Sequence, residues 1–472
     1  MNRGPLSDFS HPLGNRSYCF HNPVLPTRID HPRSGFSVRH SPRDGTFSQK
    51  YPALAHIPYI VHGDCAYHRL ANRFLIERGL AVWHPKTRLE RRAWRIPSPR
   101  SLTNYAEWLV DFLEWVECRG VDLYSCDYEA HVLGRYQPDM ATGRWARDGK
   151  PLANSSINYR VTQACDYLVW LHDRGLRPAF DVPYRLIEVL VKDFRRASGR
   201  KKIVKQRRGQ LRKRTKALHM PRDAALRKWL AGVYERFGYT VGLICETILL
   251  TAMREEEVLS LPEEAIPKDR TKWLVINPEQ HPQNHLIKVE IDQGTKGEWH
   301  GYTKHGTKLG PVRTINIPLA LAEKWHEYRR DQRNAAFVQW MKAIPAGRTR
   351  RAHAQLAGCL FLKESTGAKI TADSLYYCWK AVPAPVPGWS VHDGRNWWAC
   401  AKLWKRLKSQ LSTLDIQSEN DLAILSSAGT TTIELEIQPQ LGHIDKVSTD
   451  RYLKWLIDMV ATPVSITESA LG

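Results

Sequence analysis

The sequence lacks the features of membrane and secreted proteins. It contains no run of about 18 apolar residues, the length that a helix needs to cross a bilayer. Its first residues, from Met1 to Ser7, lack the apolar stretch of a secretory signal. The nine cysteines include no C-x-x-C pair, and their odd number fits a reducing cytosol better than a disulfide framework. We therefore expect a cytoplasmic, nucleoid-associated protein that does not contact a membrane.

Motifs for common cofactors are also missing. No G-x-x-x-x-G-K-[ST] loop for nucleotide phosphates occurs, and no carboxylate cluster or His/Cys ligand spacing is visible. His281 and His285 have a spacing that would suit a metal on a helix, but Pro282 between them favours a loop. We expect neither a metal nor another cofactor.

Positive charge, in contrast, is abundant. Lys and Arg number 70 against 48 Asp and Glu, which gives a formal net charge of +22 and favours a polyanionic partner. Of the 22 residues from 195 to 216, 12 are Lys or Arg and none is acidic. This stretch is either a solvated linker or a strap that lies along a phosphate backbone, and the two interpretations are compatible.

Apolar periodicity divides the chain into segments. Residues 1–97 are interpreted as a basic, partly ordered extension. One helix is predicted to begin at Ser101 and to stop near Gly120, and a second runs from about Ser155 to Gly175. Further helices are predicted over 222–237 and 241–250, and strands over 273–276, 286–291 and 312–317. The fold class is therefore mainly α with a small antiparallel sheet: an all-α module followed by an α+β domain.

Four short stretches carry possible chemistry. Arg254 lies in Thr-Ala-Met-Arg-Glu-Glu-Glu, and Lys308 in Thr-Lys-Leu-Gly-Pro-Val-Arg-Thr. His392 and Arg395, three residues apart, share one helix face. Leu-Gly-His443 is followed by Tyr452 on an amphipathic stretch. Each stretch alone has an ordinary explanation as a surface, turn or core residue, but their joint order is unusual.

In that order, these residues resemble the tyrosine recombinase (phage integrase) family. The first stretch resembles the family's Thr-Gly-hydrophobic-Arg box, with Glu257 in the acidic position, and the second its Thr-Lys-x-Gly-x-x-Arg-Thr strand pair. The resemblance implies a core-binding, DNA-binding domain at 98–194, a basic linker at 195–218 and a catalytic domain at 219–472.

The resemblance also implies a chemistry that suits these residue types. Arg254 and Arg395 would clamp the phosphate oxygens, and Tyr452 would attack phosphorus to form a 3′-phosphotyrosine link. His392 would act as general base, His443 as hydrogen-bond donor and Lys308 as the acid that protonates the leaving 5′-hydroxyl. Lys304 and Lys296 are alternatives for that lysine. Neither metal nor ATP is required.

Double-stranded DNA is the implied partner, and the chain is expected to assemble on it as a homotetramer. The candidate DNA-contacting residues are basic side chains of the helical module and of the stretch that follows it: Arg160, Arg195, Arg196, Lys201, Lys202, Arg207, Arg208, Arg212, Lys213 and Arg214. The target sequence, and the choice between integration, excision and resolution, stay open. Carriage on a mobile genetic element is a family-level expectation.

Three departures from the family pattern are evident. Ala252 stands where Gly is usual, which is tolerable if the backbone there is not left-handed. Gly394 replaces an apolar residue that normally packs the His–Arg helix. The interval between Arg395 and Leu441 is long, and a surface excursion over about 402–432 is expected to account for it.

Three other functions remain as alternatives. A type IB topoisomerase-like strand transferase would use the same chemistry without paired sites. A catalytically silent DNA-binding protein would keep the fold alone, and a metal-dependent nuclease is the remaining possibility.

Overall fold

The computed structural model describes most of the chain as two compact units. Of the described residues, the first unit comprises those up to 95, those within 99–184 and those within 207–213, and the second comprises 96–98, those within 185–206 and those from 214 onward. The expected fold class is confirmed, because helices predominate among the described residues and each sheet found there has two strands. No helix in these parts of the chain is long and apolar enough to cross a membrane. The described residues are 35–41, 50–51, 53–63, 66–85, 96–146, 148–191, 200–212, 217–295, 309–343, 358–411, 419–443 and 450–460.

The first unit is a helical module with a short sheet. Its elements, in chain order, are β1 (Ser37–Arg39), β2 (Tyr59–Val61), α1 (Arg69–Gly79), α2 (Pro99–Cys118), a π-helical segment (Tyr128–Tyr136) that continues into α3 (Gln137–Ala141), and α4 (Asn154–Asp173). The two helices predicted from apolar periodicity are thus present as α2 and α4. After α2 the chain turns at Gly120, whose φ of +60° a residue with a Cβ rarely adopts.

The hydrophobic core of this unit contains residues from the predicted N-terminal extension, before residue 98, and residues from the predicted helical domain after it. Phe74 of α1 packs edge-on against Trp170 of α4, with ring centroids 5.7 Å apart. Glu77, in the same helix, accepts hydrogen bonds from Trp170 Nε1 at 2.7 Å and from the Arg174 guanidinium. Ile60 of β2 is also fully buried in this core. The described N-terminal residues are therefore an integral part of this module.

Part of the basic stretch is a β-strand. The strands β3 (Tyr184–Val191) and β4 (Arg200–Arg207) form a two-stranded sheet. A basic linker was predicted at these positions. The strand was not predicted, because charged residues are depleted in strands on average. Leu186 and Ile203 of this sheet are exposed.

After β4, the second unit continues with a long interrupted helix, α5 (Asp223–Thr251). Two helices were predicted here, and the structure breaks the helix between them at Gly238, whose φ is +81° and ψ 179°. Glu364 accepts hydrogen bonds from the Thr240 backbone N–H (2.9 Å) and hydroxyl (2.6 Å), which caps the second half. The following elements are α6 (Glu255–Leu259), 3₁₀ turns at Arg270–Lys272 and Pro282–Asn284, β5 (Leu286–Gln293) and β6 (Leu309–Pro318), α7 (Leu319–Arg330), α8 (Gln332–Ala343) and α9 (Ala372–Ala381).

The β5–β6 pair is antiparallel and has one buried face. Ile287 pairs with Ile317 and Val289 with Ile315, and all four side chains are buried. The residues between them face outward, as period-2 alternation requires. The predicted strand at 273–276 is wrong, since only Val275 forms a single bridge, to Ile287.

The last described elements form a helical group that surrounds Tyr452. It consists of α10 (Val391–Leu411), α11 (Glu419–Thr432), a π-helical segment (Ile433–Ile437), α12 (Gln438–Leu441) and α13 (Asp450–Val460). Leu407 and Leu425 are buried in the same cluster as Tyr452. The described part of this segment therefore contributes to the core around α13, contrary to the expected surface excursion.

Candidate active site

A tight turn between α5 and α6 positions Arg254. Ala252 ends α5 in the left-handed conformation (φ +56°), with its N–H bonded to the Ile248 carbonyl at 3.0 Å. The condition under which alanine would be tolerated here, a backbone that is not left-handed, is not met, and a residue with a Cβ is destabilised by about 1–2 kcal/mol in this conformation. The turn directs the Ala252 carbonyl to Arg395, which donates a hydrogen bond to it.

A buried carboxylate holds Arg254 and a second arginine together. Glu257 is fully buried and accepts hydrogen bonds from the Arg254 backbone N–H and Nη1, both at 2.7 Å. Arg313 of β6 donates to the same carboxylate through Nη2 at 2.5 Å and Nε at 3.2 Å. Burial alone would raise the pKa of Glu257, but the charges and hydrogen bonds of Arg313 and Arg254 bring it below its usual value.

Arg254 and Arg395 meet at one carbonyl oxygen. The Leu441 carbonyl accepts a hydrogen bond from Arg254 Nη2 at 3.1 Å and another from Arg395. This carbonyl oxygen can accept both bonds because α12 ends at Leu441, where Gly442 follows in the left-handed conformation with φ +58°. Burial, followed by the charge of Arg254, lowers the pKa of Arg395 to about 9, so the guanidinium remains cationic at neutral pH.

The departure at Gly394 allows a tryptophan to approach α10 closely. A Cβ at this position would lie 2.8 Å from Cη2 of Trp379 and 3.3 Å from Cδ2 of Leu249. Trp379 is itself buried in the core of the second unit. The indole therefore occupies the space that an apolar side chain at position 394 would fill, and the helix packs without it.

Both predicted histidines lie in this positively charged surrounding. His392 is exposed at the surface, yet desolvation by the surrounding protein, followed by the charges of Arg451 and Arg395, lowers its pKa to about 4. Burial, Arg395, Arg254 and Arg451 lower the pKa of His443 to about 3. Both imidazoles are neutral at pH 7. The structure thus brings both histidines and both predicted arginines into one electrostatic neighbourhood.

Tyr452 is buried, and its hydroxyl lies between two residues that the sequence interpretation did not select. The hydroxyl donates to Asn396 Oδ1 at 3.1 Å and accepts from Arg451 Nη2 at 3.3 Å. Burial raises the phenol pKa above its usual value, while the charges of Arg451 and Arg395 oppose that rise. Asn396 follows Arg395 in the sequence, and Arg451 precedes Tyr452. The hydrogen bond between Asn396 and Arg451 connects α10 with α13, so no local sequence pattern indicates it.

Three buried nitrogen atoms of this neighbourhood have no hydrogen-bond partner within the described residues. They are Nε of Arg395, Nδ1 of His443 and Nε of Arg451. Buried polar atoms are nearly always paired, so these three can take a partner from outside the described residues, such as water or an anion. Two of the three belong to guanidinium groups and can only donate. The arrangement suits an anion that accepts several hydrogen bonds, such as a phosphodiester.

Lys308 and the alternatives Lys304 and Lys296 lie outside the described residues. Leu309, the residue after Lys308, begins β6 and pairs with Gln293 of β5. On that strand, Arg313 lies four residues further along and reaches Glu257.

The candidate DNA-contacting arginines have different surroundings. Arg208 is exposed and pairs with Glu129 at 3.2 Å, and Arg212 is also exposed. Arg160 donates to Asp111 and is about one quarter exposed (26%). Arg207 differs, because it is 5% exposed and donates to Tyr128 and to Gln137.

Arg207 therefore lies in the interior of the first unit, contrary to the contact with DNA that was predicted for it. The remaining candidates lie wholly or partly outside the description: Lys201 and Lys202 lie in β4 without described side chains, and Arg195, Arg196, Lys213 and Arg214 are outside it altogether.

The histidine pair of the 3₁₀ turn has local roles. His281 Nδ1 accepts a 3.4 Å hydrogen bond from the Gln283 N–H, and His285 Nε2 lies 2.8 Å from the Gln280 carbonyl. Over the described ranges, no three side chains of His, Cys, Asp or Glu type are grouped as metal ligands.

Several solved structures resemble this chain at low identity. The Tn1549 transposon integrase in complex with circular intermediate DNA is 13% identical, with 85% of this chain and 97% of that one covered and a TM-score of 0.44. The XerH site-specific recombinase bound to difH substrate is 14% identical (81% and 79% covered, TM-score 0.39), and a lambda integrase dimer bound to a COC' core site is 10% identical (95% and 100%, 0.42). No protein-family model and no curated protein matches the sequence.

These three proteins are integrases or recombinases. Because every TM-score quoted is below 0.5, the function proposed next depends on the residues of the site itself.

Proposed function

We propose that this chain is a site-specific DNA recombinase or integrase that breaks and rejoins DNA through a 3′-phosphotyrosine intermediate. The observation that carries the proposal is the group of unpaired buried nitrogens on Arg395, His443 and Arg451 beside the Tyr452 phenol. A site of this composition binds a phosphodiester and holds a nucleophile next to it.

The two predicted arginines stabilise the charge that accumulates during attack. Negative charge grows on the non-bridging oxygens of the phosphate as the phenolate approaches. Arg395 stays protonated at neutral pH, and its Nε is unpaired. Arg254 is fixed by Glu257 and contributes charge from the side of α6. Preorganised guanidinium groups need no rearrangement at the moment of reaction.

Proton transfers complete the strand-breaking step. Tyr452 loses its hydroxyl proton to His392, which is neutral at pH 7 and can accept it. A bond forms between the phenolic oxygen and phosphorus while the bond from phosphorus to the 5′-oxygen breaks. Lys308 protonates that leaving oxygen, and His443 donates a hydrogen bond to the phosphate. Reversal of the step by another 5′-hydroxyl rejoins the strand, so neither ATP nor a metal is consumed.

DNA binding is assigned to both units. Residues 98–194 act as the core-binding domain, 195–218 as a basic linker and 219–472 as the catalytic domain. The exposed arginines Arg208 and Arg212, with the basic residues of β4 and its surroundings, neutralise phosphates along the duplex. Exchange of strands between two duplexes requires four active sites, hence a homotetramer assembled on DNA.

Parent and Tyr452→Phe proteins distinguish this function from the alternatives. A nicked suicide substrate that carries the cognate site, taken from the DNA that flanks the gene, should trap the parent covalently in the presence of a chelator. The phenylalanine variant should bind the same DNA without an adduct. Adducts that relax supercoils but never join paired sites would indicate the topoisomerase-like alternative. Identical behaviour of parent and variant would indicate the silent DNA-binding protein.

A further inference from the structure

Arg451 contacts the proposed nucleophile more directly than either predicted arginine. It precedes Tyr452 in α13, and its Nη2 lies 3.3 Å from the phenolic oxygen. Its guanidinium carbon is 5.1 Å from the centroid of the same ring. Nε of Arg451 is buried and has no partner within the described residues. One face of this side chain therefore holds the phenol while another donor remains available.

The orientation of Asn396 shows which partner of the phenol can carry charge. Asn396 Nδ2 donates to Asp393 Oδ1 at 3.2 Å, and Asp393 Oδ2 is fixed by the Ser390 N–H and hydroxyl. The amide oxygen of Asn396 therefore points to Tyr452 and Arg451. An amide oxygen accepts a hydrogen bond from a neutral phenol but repels a phenolate. Among the described residues, Arg451 is the one that stabilises the ionised form through a direct hydrogen bond.

Other charged or titratable groups act on Tyr452 from a greater distance. The charge of Arg395 also lowers the phenol pKa, whereas Cys400 of α10 acts in the opposite direction. Arg395 already donates to the carbonyls of Ala252 and Leu441. Its contribution to the phenol is electrostatic, while Arg451 adds a hydrogen bond.

We infer that Arg451 is a further catalytic residue, which stabilises the Tyr452 phenolate and donates its free Nε–H to the attacked phosphate. The inference rests on the proposed function for its substrate. In the resting site, the amide oxygen of Asn396 accepts a hydrogen bond from the phenol O–H. When the proton passes to His392, the phenolate keeps its hydrogen bond from Arg451, and the new bond to phosphorus forms beside the same guanidinium.

Two measurements on the full-length protein test this role. With 3-fluorotyrosine at position 452, fluorine resonance follows the phenol titration without DNA. Arg451→Gln should raise that pKa by about one unit or more, because a cation in contact is lost. On the suicide substrate, the same variant should form adduct about 100-fold more slowly at pH 7, with a pH profile displaced to alkaline values. Arg451→Lys should recover part of both properties.

Lys454→Gln provides the matched control, since Lys454 is an exposed cation on the same helix. It should leave the titration and the cleavage rate unchanged. If the parent forms adduct and Arg451→Gln matches it in rate and pH profile, or leaves the phenol pKa unchanged, the role of Arg451 is overturned while the proposed function stands. A parent that forms no adduct overturns both.

Discussion

Glu257→Gln is the substitution that most directly tests how the site is held together. The carboxylate is fully buried and accepts four hydrogen bonds from Arg254 and Arg313. Glutamine preserves the shape but removes the charge. It also replaces one acceptor oxygen with an NH₂ group that faces arginine donors.

The expected loss is large because two partners are affected. Removal of one member of a buried ion pair costs about 3–5 kcal/mol, since the remaining charge stays desolvated. Arg254 and Arg313 are 19% and 12% exposed, so water relieves part of that cost. We expect the free energy of local opening to fall by about 3 kcal/mol, and the Leu441 carbonyl to lose its contact with Arg254.

Hydrogen exchange measured over a urea series gives this opening energy peptide by peptide. Peptides from α5, α6 and α12 should lose protection in Glu257→Gln, whereas peptides from α2 and α4 should not. Glu256→Gln is the control, because Glu256 is exposed on the same helix and should change the opening energy by less than about 0.5 kcal/mol. Equal protection in the two variants would show that Glu257 does not hold the arginines.

Three further predictions concern packing, DNA binding and pH. Gly394→Val should lower the unfolding free energy of the second unit by about 2 kcal/mol in urea titrations, because Trp379 cannot yield, and unchanged stability would contradict this packing. In duplex-binding titrations, Arg208→Ala should reduce the slope of log K against log salt by about one, whereas Arg207→Ala should instead lower the melting temperature of the first unit. The pKa of His443 lies below its ordinary value of 6.5, at about 3, so its contribution to stability is complete above pH 6.5 and is lost as the pH falls toward 3. His443→Gln should therefore reduce the loss of unfolding free energy between pH 6.5 and pH 4 by about 1–2 kcal/mol. An unaltered pH dependence would show that His443 is not held neutral.

Local patterns predicted much of the fold. The helices α2 and α4 follow from apolar residues at spacings of three and four, and the break in α5 falls at Gly238 between the two predicted helices. The pairing of β5 with β6 follows from period-2 alternation. These features depend on neighbours in sequence, which a single sequence contains. The strand β4 was not predicted, because so many charged residues are unusual in a strand.

The site was predictable only in its residue types. Arg254, His392, Arg395, His443 and Tyr452 were selected from their order along the chain, and the structure brings them into one neighbourhood. The left-handed Ala252, the burial of the phenol and the packing of α11 around it depend on contacts between distant segments.

For the same reason, the pairing of Asn396 with Arg451 carries no sequence signal. Nothing in the periodicity of α10 or α13 specifies which polar side chain of one helix meets the other.

Mass spectrometry of the trapped complex tests the central claim most directly. Trypsin cleaves after Arg451 and Lys454, which isolates Tyr452 on the tripeptide Tyr-Leu-Lys. After nuclease digestion of the adduct, that tripeptide should carry a nucleotide on its phenolic oxygen through a 3′-phosphate. A nucleotide attached to any other peptide, with the tripeptide recovered unmodified, would contradict the account.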